Sequence, residues 1–484
     1  MNIDHAVNYV KSRARGIDWS LLIFLVLVLD VKLALKIAAV ILIYVMRPDF
    51  RFGFNFRSFR DSRLPVFYCL APAIVLLNWL VRGGYSSMPS DFLVLNALLY
   101  WGLSILIVHQ IKLFTEKGDP ARTHRTLSLF FLLNILVSVG NLLVIMFITR
   151  SLNPYQFEGM NYKYFIGTGD KITGITFDFS LTNAIINALA LIYFMRRRQV
   201  GLAIASMCVL LMTGSNFTNA LMVVVLIYLF LFRSDRVQKI SIGVCFLLML
   251  LFLKVISPEN KDYAADTFEK ISGEKSFSVA PPDSSQHLTV QQQAFLIKAE
   301  KIEDSFSFVP SRQQSKWPGK LISYIETVQF LQAHTGKIAL GNGAGRFSSK
   351  LAFRATSLDV SGGYPAAFRL IDSDFLRNHL SLFLYYFTKG AEHHSIMNTP
   401  NSVYNQMLGE YGLAGLAALA IFYFGFFLRH FRRLTYGIPA LLILAAVFLT
   451  DYWFEQLSVL IVFELLLFLD AGKNDVSDKK QAVL

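Results

Sequence analysis

Residues 392–415 concentrate the side chains of this sequence that could perform acid–base chemistry. The segment reads EHHSIMNTPNSVYNQMLGEYGLAG and leads into the apolar run AALAIFYFGFFL. The adjacent imidazoles of His393 and His394 titrate near neutral pH, and the carboxylate of Glu410 stands at the edge of an apolar stretch. Ionisable groups at a hydrocarbon boundary cost free energy unless they face a cavity or a partner, so this segment is a candidate functional site.

The same residues also have a structural interpretation. Asn401 and Ser402 are residue types that cap helix N-termini, Glu410 would then face water, and Gly412 and Gly415 would permit close packing. Both interpretations place a helix after Ser402.

The sequence predicts no metal site. His393 and His394 are adjacent and lack the i, i+4 spacing of a helical zinc pair. Cys69, Cys208 and Cys245 lie within apolar blocks, where cysteine behaves as a small buried hydrophobic residue.

The polar segment 392–415 is surrounded in the sequence by long apolar blocks, and the helices that these blocks form must hold it in place. The sequence is 54% apolar and only 16% charged, and its apolar residues fall into blocks close to the length of a membrane-spanning helix. The blocks are Leu21–Leu29, Val31–Met46, Leu64–Val81, Phe92–Ile111, Leu127–Ile148, Thr182–Met195, Leu202–Met212, Ala220–Phe232, Ile240–Ile256, Leu413–Leu428, Ile438–Leu449 and Leu457–Leu469. We therefore predict an all-α polytopic membrane protein with about twelve transmembrane helices.

The net charge of +13 is explained by topology rather than by nucleic-acid binding. Lys and Arg residues cluster in alternate loops, which marks those loops and both termini as cytoplasmic. Nucleic-acid binding would need a soluble domain to carry the basic residues. The predicted parts are a membrane domain of about nine helices over residues 1–256, an extracytoplasmic loop domain over 257–402 between spans 9 and 10, C-terminal membrane helices over 403–472 and a cytoplasmic tail over 473–484.

The predicted outer loop has the composition of a soluble protein. Within it, Trp317–Ala333 reads as an amphipathic helix, whose apolar residues at helical spacing are Leu321, Tyr324, Ile325, Val328 and Leu331. The run Gly341-x-Gly343-x-Gly345 follows. It suggests a phosphate cradle, but the signal is weak because no strand and no Walker lysine accompany it.

The order of residues around Glu410 resembles the signature of the O-antigen ligase and polymerase superfamily, whose members act on sugars carried by a polyprenyl lipid. The matching residues are Tyr404, Leu408, Glu410, Gly412 and Gly415, preceded by the polar pair Asn401-Ser402. In the ligase branch this pair is His-Asn. Three other stretches are similar to family patterns: Lys171 with Gly174 and Asn183, the turn Thr213-Gly214-Ser215-Asn216, and Arg312 with Trp317 before the glycine run.

The resemblance implies glycosyl transfer from a lipid pyrophosphate. Such a reaction needs cations for the departing diphosphate, a base for the acceptor hydroxyl and a groove open to the bilayer. We favour His394 as the base, with His393 interchangeable and Glu410 as an orienting carboxylate. The candidate substrate- and pyrophosphate-binding residues are Arg312, Arg346, Lys171, Asn401, Tyr404, Trp317, Arg369 and Arg377. No metal or other cofactor is implied, because pyrophosphate is already a good leaving group.

We therefore predict a polysaccharide repeat-unit polymerase of a bacterial cytoplasmic (inner) membrane. Its expected partners are a polyprenyl-diphosphate-linked oligosaccharide, a glycan acceptor, the lipid bilayer and a chain-length regulator. One alternative is an O-antigen ligase that transfers glycan to a lipid core or protein. An alternative of another class is a flippase or exporter of lipid-linked sugars, against which stand the single large outer loop and the lack of internal repeats.

Overall fold

The computed structural model describes residues 16–55, 64–82, 87–156, 168–258, 317–356, 363–387 and 395–481 of the 484-residue chain. Within these ranges the protein is mostly helical, and its sheet structure is one two-residue parallel pair, Phe54–Asn55 with Leu64–Pro65. The predicted helical class is therefore confirmed for the described residues. The predicted site residues His393, His394 and Arg312, and residues 259–316 of the predicted outer loop, lie outside these ranges.

The α-helices are numbered here in chain order. They are α1 (Trp19–Leu29), α2 (Leu33–Met46), α3 (Phe67–Val81), α4 (Met88–Lys117), α5 (Pro120–Thr149), α6 (Ser180–Arg196), α7 (Val200–Met212), α8 (Asn216–Phe232), α9 (Arg236–Leu251), α10 (Gly319–Ala333), α11 (Lys350–Ala355), α12 (Ser373–Phe375), α13 (Ser381–Phe387), α14 (Val403–Ala417), α15 (Gly425–Leu428), α16 (Gly437–Val447), α17 (Trp453–Gln456) and α18 (Ser458–Gln481). π-Helical turns follow α9, α12 and α14 at Phe252–Ile256, Leu376–Leu380 and Ala418–Phe424.

Four helical stretches are long and apolar enough to cross a membrane: Met88–Lys117, Pro120–Thr149, Arg236–Ile256 and Val403–Leu428. Shorter apolar helices of 10–17 residues accompany them. Only 28% of the most apolar window of Pro120–Thr149 is buried, and only 22% of that of Arg236–Ile256. Long helices that turn apolar side chains outwards are typical of lipid-facing spans, so the structure indicates a membrane protein.

Helix α6 lies at the centre of the helical bundle. Every residue from Thr182 to Met195 is buried, although this helix contains the polar residues Asn183 and Asn187. It packs against α7, α8, α16 and α18. A helix that is buried all round needs no polar face, which explains its continuous apolar sequence.

The helix predicted over Trp317–Ala333 is confirmed as α10, but only Leu331 of its five expected apolar residues is buried. Leu321, Ile325 and Val328 are 39–45% exposed, whereas Ser323 and Thr327 are fully buried. The small hydroxyl residues face α14, because their hydrogen bonds are satisfied there. The spacing of apolar residues alone could not reveal that Ser323 and Thr327 are the buried side chains.

Candidate functional site

Helix α14 is interrupted at Gly412, which has φ +68° and ψ −164°. The break leaves backbone groups without partners inside the helix. The N–H of Asn342 donates to the carbonyl of Gly409 at 2.7 Å, and the N–H of Gly343 donates to the carbonyl of Glu410 at 3.0 Å. On the other side of the break, the N–H of Leu413 donates to the carbonyl of Ile338 at 2.8 Å. The glycine run and the broken helix therefore form one hydrogen-bonded unit.

The carboxylate of Glu410 accepts hydrogen bonds from backbone amide groups of this turn. It accepts hydrogen bonds from the backbone N–H groups of Gly345 at 2.8 Å, Phe347 at 3.0 Å and Ser348 at 2.9 Å. Glu410 is 1% exposed. Gly345 and the residues that follow it thus form a turn whose N–H groups bind a carboxylate, and this carboxylate is a side chain of the same protein. This geometry suits a positioning role for Glu410.

A second buried carboxylate, Glu455 of α17, lies next to the first. It accepts hydrogen bonds from Nε2 of Gln406 at 2.6 Å and from the N–H of Leu351 at 3.0 Å. Burial, together with the neighbouring Glu410 carboxylate, raises the pKa of Glu455 to about 8. Sequence reasoning missed this residue. The available signal was an acidic side chain in a very short loop between two apolar blocks.

Two buried lysines, Lys320 and Lys350, have Asp451 as a common acidic electrostatic neighbour. Lys320 donates from Nζ to the carbonyl of Asn401 at 2.6 Å, and burial lowers its pKa to about 7. Lys350 is 8% exposed, and its ammonium group takes part in none of the hydrogen bonds or ion pairs among the described residues. Asp451 and Glu455 are its acidic electrostatic neighbours. Lys350 is therefore a cation available to a ligand, and it too was missed from the sequence.

Two arginines line one small cleft beside the glycine run. Arg346 belongs to the run that holds Glu410, and its guanidinium contacts the hydroxyl of Ser90. Arg82, which follows α3, donates from Nη2 to Oδ1 of Asn342 at 3.1 Å. Both side chains line the cleft, and burial together with the nearby Arg346 guanidinium lowers the pKa of Arg82. The sequence analysis named Arg346 but not Arg82.

Carboxylates also face the two arginines. Asp372 and Asp374 are electrostatic neighbours of Arg82. Asp374 forms an ion pair of 2.7 Å with Lys337, and Oδ1 of Asp372 accepts from Nδ2 of Asn342 at 3.3 Å. A bound anion would therefore meet a cationic cleft that is partly neutralised on one side.

The predicted residues at the start of α14 lie next to Lys320. Ser402 is the N-cap residue and accepts from the N–H of Tyr404 at 3.1 Å, so the capping interpretation is confirmed for Ser402. The side-chain oxygen of Asn401 is buried and has no hydrogen-bond partner among the described residues. The hydroxyl of Tyr404 donates to the carbonyl of Ala445 at 2.9 Å. Among the predicted binding residues in the described ranges, Asn401 therefore has a buried oxygen that lacks a hydrogen-bond donor.

The remaining predicted binding residues lie on the surface. Trp317 is 59% exposed. The three cations Lys171, Arg369 and Arg377 are also exposed. The structure thus joins the residues beside Arg346 to Glu410, places Asn401 just before the helix that carries Glu410, and leaves these four residues exposed.

The segment around Lys171 is held by a buried amide network. Asn183 of α6 accepts from Nδ2 of Asn134 at 2.9 Å and donates to the carbonyl of Ile172 at 3.0 Å. A Cβ atom on Gly174 would come within 2.5 Å of Oδ1 of Asn134. The order Lys171, Gly174, Asn183 therefore has a structural explanation in this chain, namely the insertion of a loop between helices.

The described residues contain no group of three or more His, Cys, Asp or Glu side chains that could hold a metal ion. Comparison with known proteins found no family, no curated protein and no solved structure that matches this chain.

Proposed function

We propose that this chain is an integral membrane glycosyltransferase that transfers glycan from a polyprenyl-diphosphate donor to a sugar hydroxyl, and that it acts as a repeat-unit polymerase of the O-antigen ligase and polymerase superfamily. One observation carries the proposal. Arg346 and Glu410 were selected from separate parts of the sequence, and the residues on either side of Arg346 donate their N–H groups to the Glu410 carboxylate.

The arrangement supplies the cations that such a reaction needs. In the transfer, the acceptor oxygen bonds to the anomeric carbon, the bond from that carbon to the diphosphate oxygen breaks, and polyprenyl diphosphate departs. Arg346 and Arg82, which line one cleft, are proposed to bind the diphosphate oxygens. Lys350, whose ammonium group has no hydrogen-bond partner among the described residues, is a further candidate.

The proton of the acceptor hydroxyl passes to a base. His394 is proposed for this role, with His393 as its alternative, and both lie outside the described residues. Glu410 is proposed to position the glycine turn, because three backbone N–H groups already occupy its carboxylate. Asn401 is proposed to hydrogen-bond a sugar hydroxyl through its buried side-chain oxygen.

The proposed location is the bacterial cytoplasmic membrane, with about twelve spans, cytoplasmic termini and residues 257–402 outside. The alternating Lys and Arg clusters of the sequence support this topology. A single cysteine introduced at Ser285 into a chain without its three native cysteines should react with an impermeant maleimide on intact cells. Labelling that requires permeabilised inner membranes would overturn the topology.

The decisive experiment uses the purified full-length protein in liposomes with a synthetic lipid-linked repeat unit. We expect a ladder of longer glycans and one polyprenyl diphosphate released for each new bond. Transfer of one repeat to a supplied lipid core, without a ladder, would favour the ligase. Movement of the lipid across the bilayer with no new glycosidic bond would favour the flippase.

A further inference from the structure

A cavity of about 420 Å³ lies at the end of the helical bundle where four helix termini meet. Helices α6 and α8 end there, and helices α9 and α16 begin there. The loops at this end include the Arg-rich segments that the sequence places at the cytoplasmic surface. The cavity is therefore remote from the predicted outer face, and none of its residues belongs to the candidate site described above.

The wall of the cavity combines cations with apolar surface. Arg196 follows the buried part of α6, and Arg233 follows α8. Leu231 and Phe232, at the end of α8, are 60% and 70% exposed and turn an apolar surface outwards beside the cavity. Thr435 also lines the cavity, and its hydroxyl donates to Asp470.

Neither arginine is neutralised by the acidic residues nearby. Among the described residues, no hydrogen bond or ion pair involves the guanidinium group of Arg196 or Arg233. Asp235, which also lines the cavity, forms an ion pair of 2.7 Å with Arg198 and caps α9 by accepting from the N–H of Gln238. The cavity therefore keeps a positive charge that the protein does not satisfy internally.

Asp470 of α18, whose partners include Thr435 of the cavity wall, is also engaged in hydrogen bonds. It accepts hydrogen bonds from the backbone N–H groups of Thr435 at 2.6 Å and Gly437 at 2.8 Å. These contacts tie α18 to the start of α16. Asp470 therefore shapes the wall of the cavity instead of pairing with its arginines.

We propose that this cavity binds the phosphate headgroup of an anionic phospholipid from the cytoplasmic leaflet, with the lipid acyl chains lying along Leu231 and Phe232. Two guanidinium groups match phosphate oxygens in charge and geometry. Basic pockets between membrane helices at the cytoplasmic side bind anionic lipid headgroups by this chemistry. A free phosphate ion would satisfy the arginines but would leave the adjacent apolar surface unused. The inference rests on the proposed topology and is independent of the proposed enzymatic activity.

The test measures lipid retention by the purified full-length protein, using native mass spectrometry after exchange into detergent with phosphatidylglycerol or phosphatidylcholine. We expect preferential retention of phosphatidylglycerol by the wild type. Arg196→Ala and Arg233→Ala should each weaken that retention by about fivefold, as expected for the loss of one cation near a lipid phosphate. Arg125→Ala removes an exposed arginine that does not line the cavity and should have no effect.

Three results would overturn the proposal. The first is equal retention of the two lipids by the wild type. The second is an equal loss of retention in the Arg125→Ala control. The third is displacement of phosphatidylglycerol by inorganic phosphate at equal concentration, which would identify a free-phosphate site. If the alanine variants do not fold, Arg196→Lys and Arg233→Lys retain the charge, and weaker retention in these variants still tests a bidentate contact.

Discussion

Gly341 and Gly412 pack backbone against backbone, and each has a positive φ, of +72° and +68° respectively. A Cβ atom on Gly412 would lie 2.5 Å from the nitrogen of Gly341. A Cβ atom on Gly341 would lie 2.4 Å from the carbonyl carbon of Glu410. This approach allows the glycine run to satisfy the backbone groups that the break in α14 leaves unpaired, so both positions require glycine.

Replacement of Gly412 by alanine should therefore destabilise the protein strongly. The new methyl group meets backbone atoms that cannot rotate away, and the positive φ adds strain, so we expect a loss of roughly 3 kcal/mol or more. Thermal unfolding in detergent measures the effect. Gly201→Ala is the matched control, because nothing lies within 4 Å of its new Cβ atom. Equal unfolding temperatures for the two variants would contradict the proposed junction.

Glu410→Gln should loosen the glycine turn. A glutamine retains one acceptor oxygen but presents an NH₂ group to backbone N–H donors, and leaving a buried donor unsatisfied costs roughly 1–3 kcal/mol. We expect lower stability and lower transfer activity, with the acid limb of the pH–rate profile unchanged. Loss of that limb in the glutamine variant would identify Glu410 as the base instead.

The two arginines of the cleft should act on donor binding. Arg346→Ala and Arg82→Ala should each reduce transfer by roughly 10- to 100-fold, corresponding to roughly 1.5–3 kcal/mol for a hydrogen bond to a charged group. Arg346→Lys should be partly active, because lysine keeps the charge but not the bidentate geometry. Lys254→Ala, at an exposed cation on another segment, is the control. Wild-type rates in both alanine variants would refute the proposed diphosphate site.

The histidine prediction is tested by His394→Ala and His393→Ala. Loss of the base should reduce the rate greatly and remove the decrease in activity that protonation of an imidazole causes below about pH 6.5. His334→Ala replaces an exposed histidine of the described region and should leave the profile intact. Full activity and an unchanged profile in both test variants would exclude an imidazole base at these positions.

Glu455 should make stability depend on pH. Its pKa rises from 4.5 to about 8 on folding, so the folded protein binds the proton more tightly than the unfolded chain does. Glu455 and Glu410 titrate as a coupled pair, and the resulting stabilisation is fully present below about pH 4.5 and is lost as pH rises through the raised pKa of Glu455. Glu455→Gln keeps a neutral side chain and should flatten this decline.

The comparison is best made between about pH 5 and 7, because Lys320, whose pKa is lowered to about 7, has the opposite effect only above that range. Chemical unfolding of wild type and Glu455→Gln in the same detergent provides the measurement. An identical pH dependence for the two proteins would show that Glu455 does not control the decline.

Features that depend on residues close together in the chain could be predicted from the sequence. The apolar blocks predicted a helical membrane protein, and the four long apolar helices agree with that class. Ser402 was identified as a helix cap because a cap acts within a few residues. Helix α10 was also located from its periodicity, to within two residues at its start.

The assembly of the candidate site was decided by the tertiary structure. Glu410 binds the N–H of Phe347 across 63 residues, and Arg82 reaches Asn342 across 260 residues. No local spacing encodes such pairs, because they form only when separate helices pack. The same reason explains why Glu455 and Lys350 were missed and why Leu321, Ile325 and Val328 of α10 are exposed. Sequence by itself determined which segments are helical and apolar; packing determined which polar groups meet, since a buried polar group must find its partner wherever the fold places one.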